Sequence, residues 1–281
     1  MAGAVQYITD GYKYLFEDLV HPVSKNWLLV GNPLPVIVIL AIYLSFCLRI
    51  GPRFMKNRKP YEINNFIQVY NFAQILITVY MFIRGSFHMF SGKFNFVCQP
   101  LEDPASPEAK YEIVPLTYMY FILKIIDLLD TVFFVLRKSD RQITSLHLHH
   151  HTLMPIATWI AITYFPGGQG LIIGYLNTFV HIVMYTYYFI SSLGDEYKKY
   201  VWWKKHLTTL QLVQFAIIAV QSINSLFHEC GYPQLLKILI IIYAFTFLNM
   251  FGQFYYNSYV KSNKSTIEQN GKSKINNAKS H

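Results

Sequence analysis

Seven stretches of roughly 20 mostly apolar residues divide this chain, and ~20 residues is what a helix needs to cross the hydrocarbon core of a bilayer. They run from Trp27 to Leu48, Phe66 to Ile83, Pro115 to Leu136, Ser145 to Phe165, Leu171 to Ser192, Leu207 to Phe227 and Leu235 to Tyr259. Lipid leaves the backbone of an open strand edge without partners, so such spans are read as helices. The composition agrees: 53% of the 281 residues are hydrophobic and only 14% are charged, where a soluble domain carries about 25% charge. The expected fold is an all-α polytopic membrane protein with a seven-span domain over residues 1–260. A disordered basic tail, rich in Lys, Asn and Ser, is expected over 261–281. No cleavable leader is expected, because residues 1–25 lack a basic segment followed by an apolar core.

The formal charge of +9 would suit a nucleic-acid binder only if it were gathered on one soluble face. Instead, the basic residues sit in alternate loops. Arg49, Arg53, Lys56, Arg58 and Lys59 follow the first span, Arg137, Lys138 and Arg141 the third, Lys198, Lys199, Lys204 and Lys205 the fifth. Lys261, Lys264, Lys272, Lys274 and Lys279 follow the last. These segments share one side of a seven-span protein, while Asp10, Glu17, Asp18, Glu102, Asp103, Glu108, Glu112 and Glu229 collect on the other. The positive-inside rule then predicts a cytosolic C-terminus and a luminal or extracellular N-terminus.

Polar groups inside spans are expensive and point to function. The third span carries Lys124, Asp127, Asp130 and Thr131, and the fourth opens with His147, His149, His150 and His151. The fifth carries Asn177, His181, Tyr185 and Tyr188 on one stripe, and the sixth opens with Thr208, Gln211 and Gln214. At ~1.5 Å per residue, His150, Asp130, His181 and Gln214 lie roughly 8, 10, 16 and 10 Å inside the cytosolic ends of their spans. These depths predict one buried polar chamber opening toward the cytosol. Blander readings compete residue by residue: Asp127 or Asp130 paired with Lys124, Gln211 and Gln214 as interhelical glue, Tyr187 in an interfacial belt. Three imidazoles at i, i+3 and i+4 are harder to explain as packing.

Imidazole ligates metals, moves protons or attacks carbonyls. The spacing of His147, His150 and His151 suits a metal on a helix face, as in membrane desaturases and hydroxylases. The remaining histidines, His21, His88, His181, His206, His228 and His281, form no second box, so a di-iron site is not assembled; a mononuclear site stays open, though the spacing offers it no carboxylate or cysteine partner, and no metal is expected. A nucleophilic imidazole acting on a lipid thioester fits better. A seven-span receptor is the reading from another class, but its ligand pocket would open on the outer side.

At these residues the chain closely resembles the very-long-chain fatty acid elongase (ELO) family. The motifs occur in the family's order: KIIDLLDTVFFVLRK at 124–138, HLHHH at 147–151, NTFVHIVMYTYY at 177–188 and TTLQLVQF at 208–215. The resemblance implies a seven-helix bundle enclosing a long substrate tunnel in the endoplasmic reticulum membrane. It implies decarboxylative condensation of malonyl-CoA with a long-chain acyl-CoA, giving a 3-oxoacyl-CoA, with no cofactor beyond these co-substrates. His147, His150, His151 and His181 are the implied catalytic residues, with His150 as nucleophile. Lys124, Asp127, Asp130, Asn177, Tyr188, Gln211 and Gln214 would line or support the chamber. Implied partners are membrane lipid, other enzymes of the elongation cycle and further copies or relatives of the chain, and no nucleic acid. Two positions depart from the pattern: Asp127 stands where Glu is usual, and His149 replaces an aromatic residue. Finally, Cys98 and Cys230 both fall in luminal loops, Cys47 in a span, so a Cys98–Cys230 disulfide is expected.

Overall fold

The structure, a computed structural model, describes residues 2–261, and the tail expected to be disordered lies outside them apart from Lys261. Every regular element among the described residues is helical. A helix α1 (Ala2–Lys13) precedes the first apolar stretch. The long elements are α2 (Leu34–Ser45), continued through a wide turn into α3 (Gly51–Met55), then α4 (Asn64–Met89), α5 (Val114–Ile126) and α6 (Leu128–Leu136). They are followed by α7 (Ser145–Tyr164), α8 (Gly170–Ser192), α9 (Lys204–Leu226) and α10 (Gln234–Tyr255).

Each of the seven apolar stretches thus holds a long helical segment, with two corrections. The first helix starts at Leu34 rather than near Trp27, because Leu29 and Gly31 adopt positive φ values of 66° and 79° that a helix cannot accommodate. The side chain of Asn32 then accepts from the N–H of Leu34 (2.9 Å), and Pro33 precedes the first turn. The third stretch is not one rod but two, broken at Asp127.

Among the described residues, four helical segments are long and apolar enough by themselves to cross a membrane: Leu34–Met55, Asn64–Met89, Lys204–Leu226 and Gln234–Lys261. The others are broken or diluted by the polar residues they turn inward. Helices of this length and hydropathy make it a membrane protein.

Packing closes a ring. α4 lies against α8, α8 against α9, α9 against α10, α10 against α7, α7 against α5, and α5 returns to α4. α2 packs outside the ring on α7, where Val36, Leu40 and Tyr43 join Trp159 and Ile162 in one apolar cluster. The seams α4–α5 and α7–α10 are the most sparsely packed.

At one end of the ring, called here the histidine end, α7 begins and α6 and α8 finish. The opposite end is tied together covalently: Cys98 and Cys230 are joined by a disulfide, with their Cα atoms 5.8 Å apart. Beside it Lys237, 1% exposed, donates to the carbonyls of Ser225 (2.8 Å) and His228 (2.9 Å). A lysine so deep is tolerable because it satisfies the orphan carbonyls and negative dipole at the end of α9.

Candidate active site

The box is set by a helix start. Thr144 caps α7, its hydroxyl accepting from the N–H of His147 at 3.2 Å. The helix phase that follows puts His147, His150 and His151 on one face. The rings of His147 and His151 lie 4.1 Å apart, and His150 meets His151 at 5.5 Å and Phe247 of α10 at 5.4 Å, both edge to face. His149 points elsewhere, is exposed, and its Nδ1 lies 2.7 Å from the carbonyl of Ser145. Pro155, inside the same helix, lacks the N–H that would bond the carbonyl of His151.

The break at Asp127 sets the second group. The N–H of Asp130 bonds the carbonyl of Asp127 at 3.2 Å, an i→i+3 bond that brings both carboxylates to the same side. The hydroxyl of Tyr185 lies 2.9 Å from Asp127 Oδ1 and 3.1 Å from Asp130 Oδ2. It has one proton, so it serves one carboxylate at a time. Gln74 donates through Nε2 to Asp127 Oδ1 (2.9 Å) and to the hydroxyl of Tyr70 (2.9 Å). Lys124 Nζ donates to Asp127 Oδ2 at 3.0 Å and lies 3.3 Å from His181 Nε2. An ammonium has no lone pair, so His181 Nε2 accepts and a neutral ring carries its proton on Nδ1. That Nδ1 is 3.7 Å from Asp127 Oδ2.

Tyr120 completes the group: its hydroxyl donates to Asn177 Oδ1 at 2.8 Å, and its ring lies 4.8 Å below Lys124 Nζ. Lys124 and Asp127 are each 2% exposed, deep enough that neither charge is tolerable without the other. Short as its side chain is, Asp127 reaches Lys124, Gln74 and Tyr185 together.

A third line reaches the box from outside the ring. Tyr43 of α2 hydrogen-bonds Thr131 (2.8 Å), which hydrogen-bonds His147 Nε2 (2.8 Å). His150 and His151, by contrast, make no side-chain hydrogen bond among the described residues. Tyr188 meets the network only through its ring, 6.0 Å from that of Tyr185. Gln211 is half-buried and Gln214 buried on α9, and neither hydrogen-bonds to the network.

Sequence reasoning passed over Tyr43, Tyr70, Gln74 and Tyr120. One signal was present: Tyr70, Gln74 and Thr78 recur every four residues within an apolar span, and all three are buried, which marks an inward polar stripe.

Inside the ring, a cavity of about 350 Å³ runs from Tyr120 and Met154 toward the disulfide end, where Gly167 and Tyr232 line it. Its wall is mostly apolar. Met154 follows His151 by three residues and His150 by four, so the cavity begins one helical turn from the imidazoles. An electrophile held at the box would therefore have room for a long apolar tail.

Residues 28–267 match the model of the GNS1/SUR4 family, ELO. The chain belongs to that family. Its relatives within the ELO family include very long chain fatty acid elongase 7 of Rattus norvegicus, 41% identical over 86% of this chain and 87% of the relative. A very long chain fatty acid elongase of Aedes aegypti is 38% identical over 92% of this chain and 72% of its own length. Very long chain fatty acid elongase 1 of Mus musculus is 36% identical over 92% and 94%. The matched ELO region contains every residue of the network described above.

Proposed function

We propose that this chain is a 3-oxoacyl-CoA synthase of fatty acid elongation, with His150 as its nucleophile. The observation that carries the reading is the placement of His150: an imidazole free of hydrogen bonds, on the helix face that leads one turn later into a long apolar cavity. The family membership supports the reaction class.

In this mechanism a ring nitrogen of His150 attacks the carbonyl carbon of a long-chain acyl-CoA whose tail fills the cavity. The C–N bond forms as the C–S bond breaks, and CoA leaves as a thiol after taking up the imidazole proton. Malonyl-CoA then loses carbon dioxide. The electron pair of that C–C bond becomes an enolate, which attacks the acyl-imidazole. The new C–C bond forms, the C–N bond breaks, and the departing ring nitrogen takes up one proton from solvent, so that the neutral imidazole returns with a 3-oxoacyl-CoA two carbons longer.

His181 with Lys124 behind it, and Asn177 held by Tyr120, would stabilise charge developing on oxygen. His147, wired to Thr131 and Tyr43, would orient and exchange protons with His151. No resident metal is part of the reading.

The reading places all seven helical segments across the endoplasmic reticulum membrane, with the histidine end cytosolic and the disulfide end luminal. The N-terminus would be luminal and the C-terminus cytosolic. CoA would meet the basic loops, and the other enzymes of the cycle, or further copies of the chain, would dock from there.

Purified protein given malonyl-CoA and a panel of acyl-CoAs tests it: a 3-oxoacyl-CoA two carbons longer is expected by mass spectrometry. Without malonyl-CoA, a peptide containing His150 is expected to carry the acyl mass. His150→Ala is expected to cost ~100-fold or more in turnover while the protein elutes normally in detergent. Near-normal turnover of that variant eliminates the nucleophile assignment, and turnover with no adduct under any condition favours a ternary complex in which the box acts as base.

A further inference from the structure

Asp130 is a buried titratable group, 5% exposed, that the mechanism above leaves unused. Around it stand Tyr43 of α2, Tyr70 of α4, Lys124 of α5, Asp127 at the helix break, and Tyr185 and Tyr188 of α8. Phenols are neutral at neutral pH, so Lys124 is the one cation of this group. Its ammonium is already committed, 3.0 Å from Asp127 Oδ2. His181 cannot supply a second positive charge: its Nε2 accepts from Lys124 at 3.3 Å, and a proton there would set two donors face to face. Two ionised carboxylates beside a single cation would leave a net negative charge away from water, which an interior tolerates poorly. One of the two carboxyls therefore keeps a proton.

The hydrogen bonds say which. Asp127 accepts from Lys124 through Oδ2 and from Gln74 through Oδ1 at 2.9 Å, two donors that need a carboxylate. The Asp130 carboxyl meets the Tyr185 hydroxyl, 3.1 Å from Oδ2. Tyr70 stands near it too, but its hydroxyl lies 3.4 Å from the carbonyl of Ile126 and accepts from Gln74 at 2.9 Å. The Tyr185 proton goes to the ionised partner, Asp127 Oδ1, at 2.9 Å. That leaves the Tyr185 oxygen facing Asp130 as an acceptor. A carboxylate there would set lone pair against lone pair. A carboxylic acid closes the chain, with Asp130 donating to Tyr185 and Tyr185 donating to Asp127.

We infer that Asp130 is a neutral carboxylic acid whose proton is donated to Tyr185, which makes it a positioning residue for Asp127, Lys124 and His181. An ionised Asp130 would compete for the Tyr185 proton and for Lys124, and would repel charge developing on a reacting oxygen. With the acid in place, Lys124 and Asp127 balance, and the site stays neutral until that charge appears. The positioning role rests on the condensing-enzyme reading above, whereas the protonation state does not.

Infrared difference spectroscopy reads the proton without reference to turnover. Full-length wild type and Asp130→Asn are purified at neutral pH in a detergent free of ester groups, whose carbonyls would mask the band. A carboxylic-acid C=O stretch that shifts when the aspartates carry heavy carbon is expected in wild type and is expected to be missing from Asp130→Asn. Asparagine keeps the shape and a donor of the acid, and monodisperse elution with an intact Cys98–Cys230 bond reports the fold of the variant. No such band in wild type overturns the assignment, as does a band that persists in Asp130→Asn.

Turnover then tests the positioning. Asp130→Leu is expected to lower kcat by about tenfold or more, as loss of one buried hydrogen bond does, with KM moved less. Asp130→Asn is expected to restore most of that loss, because its amide donates to Tyr185 in place of the acid. Asp127→Asn strands Lys124 and is expected to fall at least as far as Asp130→Leu. Asp130→Asn as impaired as Asp130→Leu overturns the role. An active Asp127→Asn beside an inactive Asp130→Asn moves the proton to Asp127 and overturns the assignment. Wild type that condenses no acyl-CoA at all overturns the reaction reading and the role with it, while the infrared band still decides the proton.

Discussion

Lys124 and Asp127 carry the energetics of the site. Their 3.0 Å contact holds two charges that water cannot reach, so removing one partner strands the other. Lys124→Met is expected to cost about 3–5 kcal/mol in stability through the uncompensated carboxylate, read as earlier unfolding in detergent. The double variant Lys124→Met with Asp127→Leu is expected to recover most of that loss yet remain inactive, since the proposed oxyanion donor His181 loses Lys124 behind it. Recovery of activity in the double variant would show the pair to be packing only. The possibility of this pair was open to sequence reasoning, because i, i+3 spacing allows it. Its neighbours were not: Gln74 and Tyr185 reach Asp127 from 53 and 58 residues away in the chain, separations that no local pattern encodes.

Among the elements, two local breaks decide the geometry. One is the turn at Asp127, which aligns two carboxylates on Tyr185. The other is the turn from α7 into α8, where Gly167 and Gly168 adopt φ values of 99° and 55°. A Cβ on Gly168 would stand 2.7 Å from the ring of Tyr232, and one on Gly167 2.7 Å from Ile113. This turn also closes the disulfide end of the cavity, and the Gln169 side chain there accepts from the N–H of Gln99 at 2.8 Å. Gly168→Ala is expected to cost about 1–3 kcal/mol from strain and contact together, measured as a lower unfolding midpoint. An unchanged midpoint would mean that the Tyr232 ring yields freely. The apolar length of each span was legible in sequence. The break inside KIIDLLD was not, because every residue there is compatible with a continuous helix.

For the whole molecule, the disulfide links positions 132 residues apart. Restricting so long a loop in the unfolded chain is worth about 5 kcal/mol in the chain-entropy model. Cys98→Ser with Cys230→Ser is therefore expected to lower the unfolding temperature, and peptide mapping without reductant is expected to find the linked peptides in wild type. Free thiols at both positions in protein from native membranes would contradict the pairing. The bond ties the loop after α4 to the turn between α9 and α10, elements on opposite sides of the ring, at the end where the cavity stops.

By itself the sequence determined that this chain is helical and membrane-bound, because apolar length and the absence of water leave no other backbone solution. It also singled out the imidazoles and the Lys124–Asp130 segment, since the cost of polar groups in a span makes them conspicuous. Only the tertiary structure decided which polar residues meet, where the cavity lies and which seams are thin. The reason is that these depend on helix rotation and on which helices become neighbours. Both are set by the summed packing of many weak contacts, and neither leaves a periodic trace along the chain.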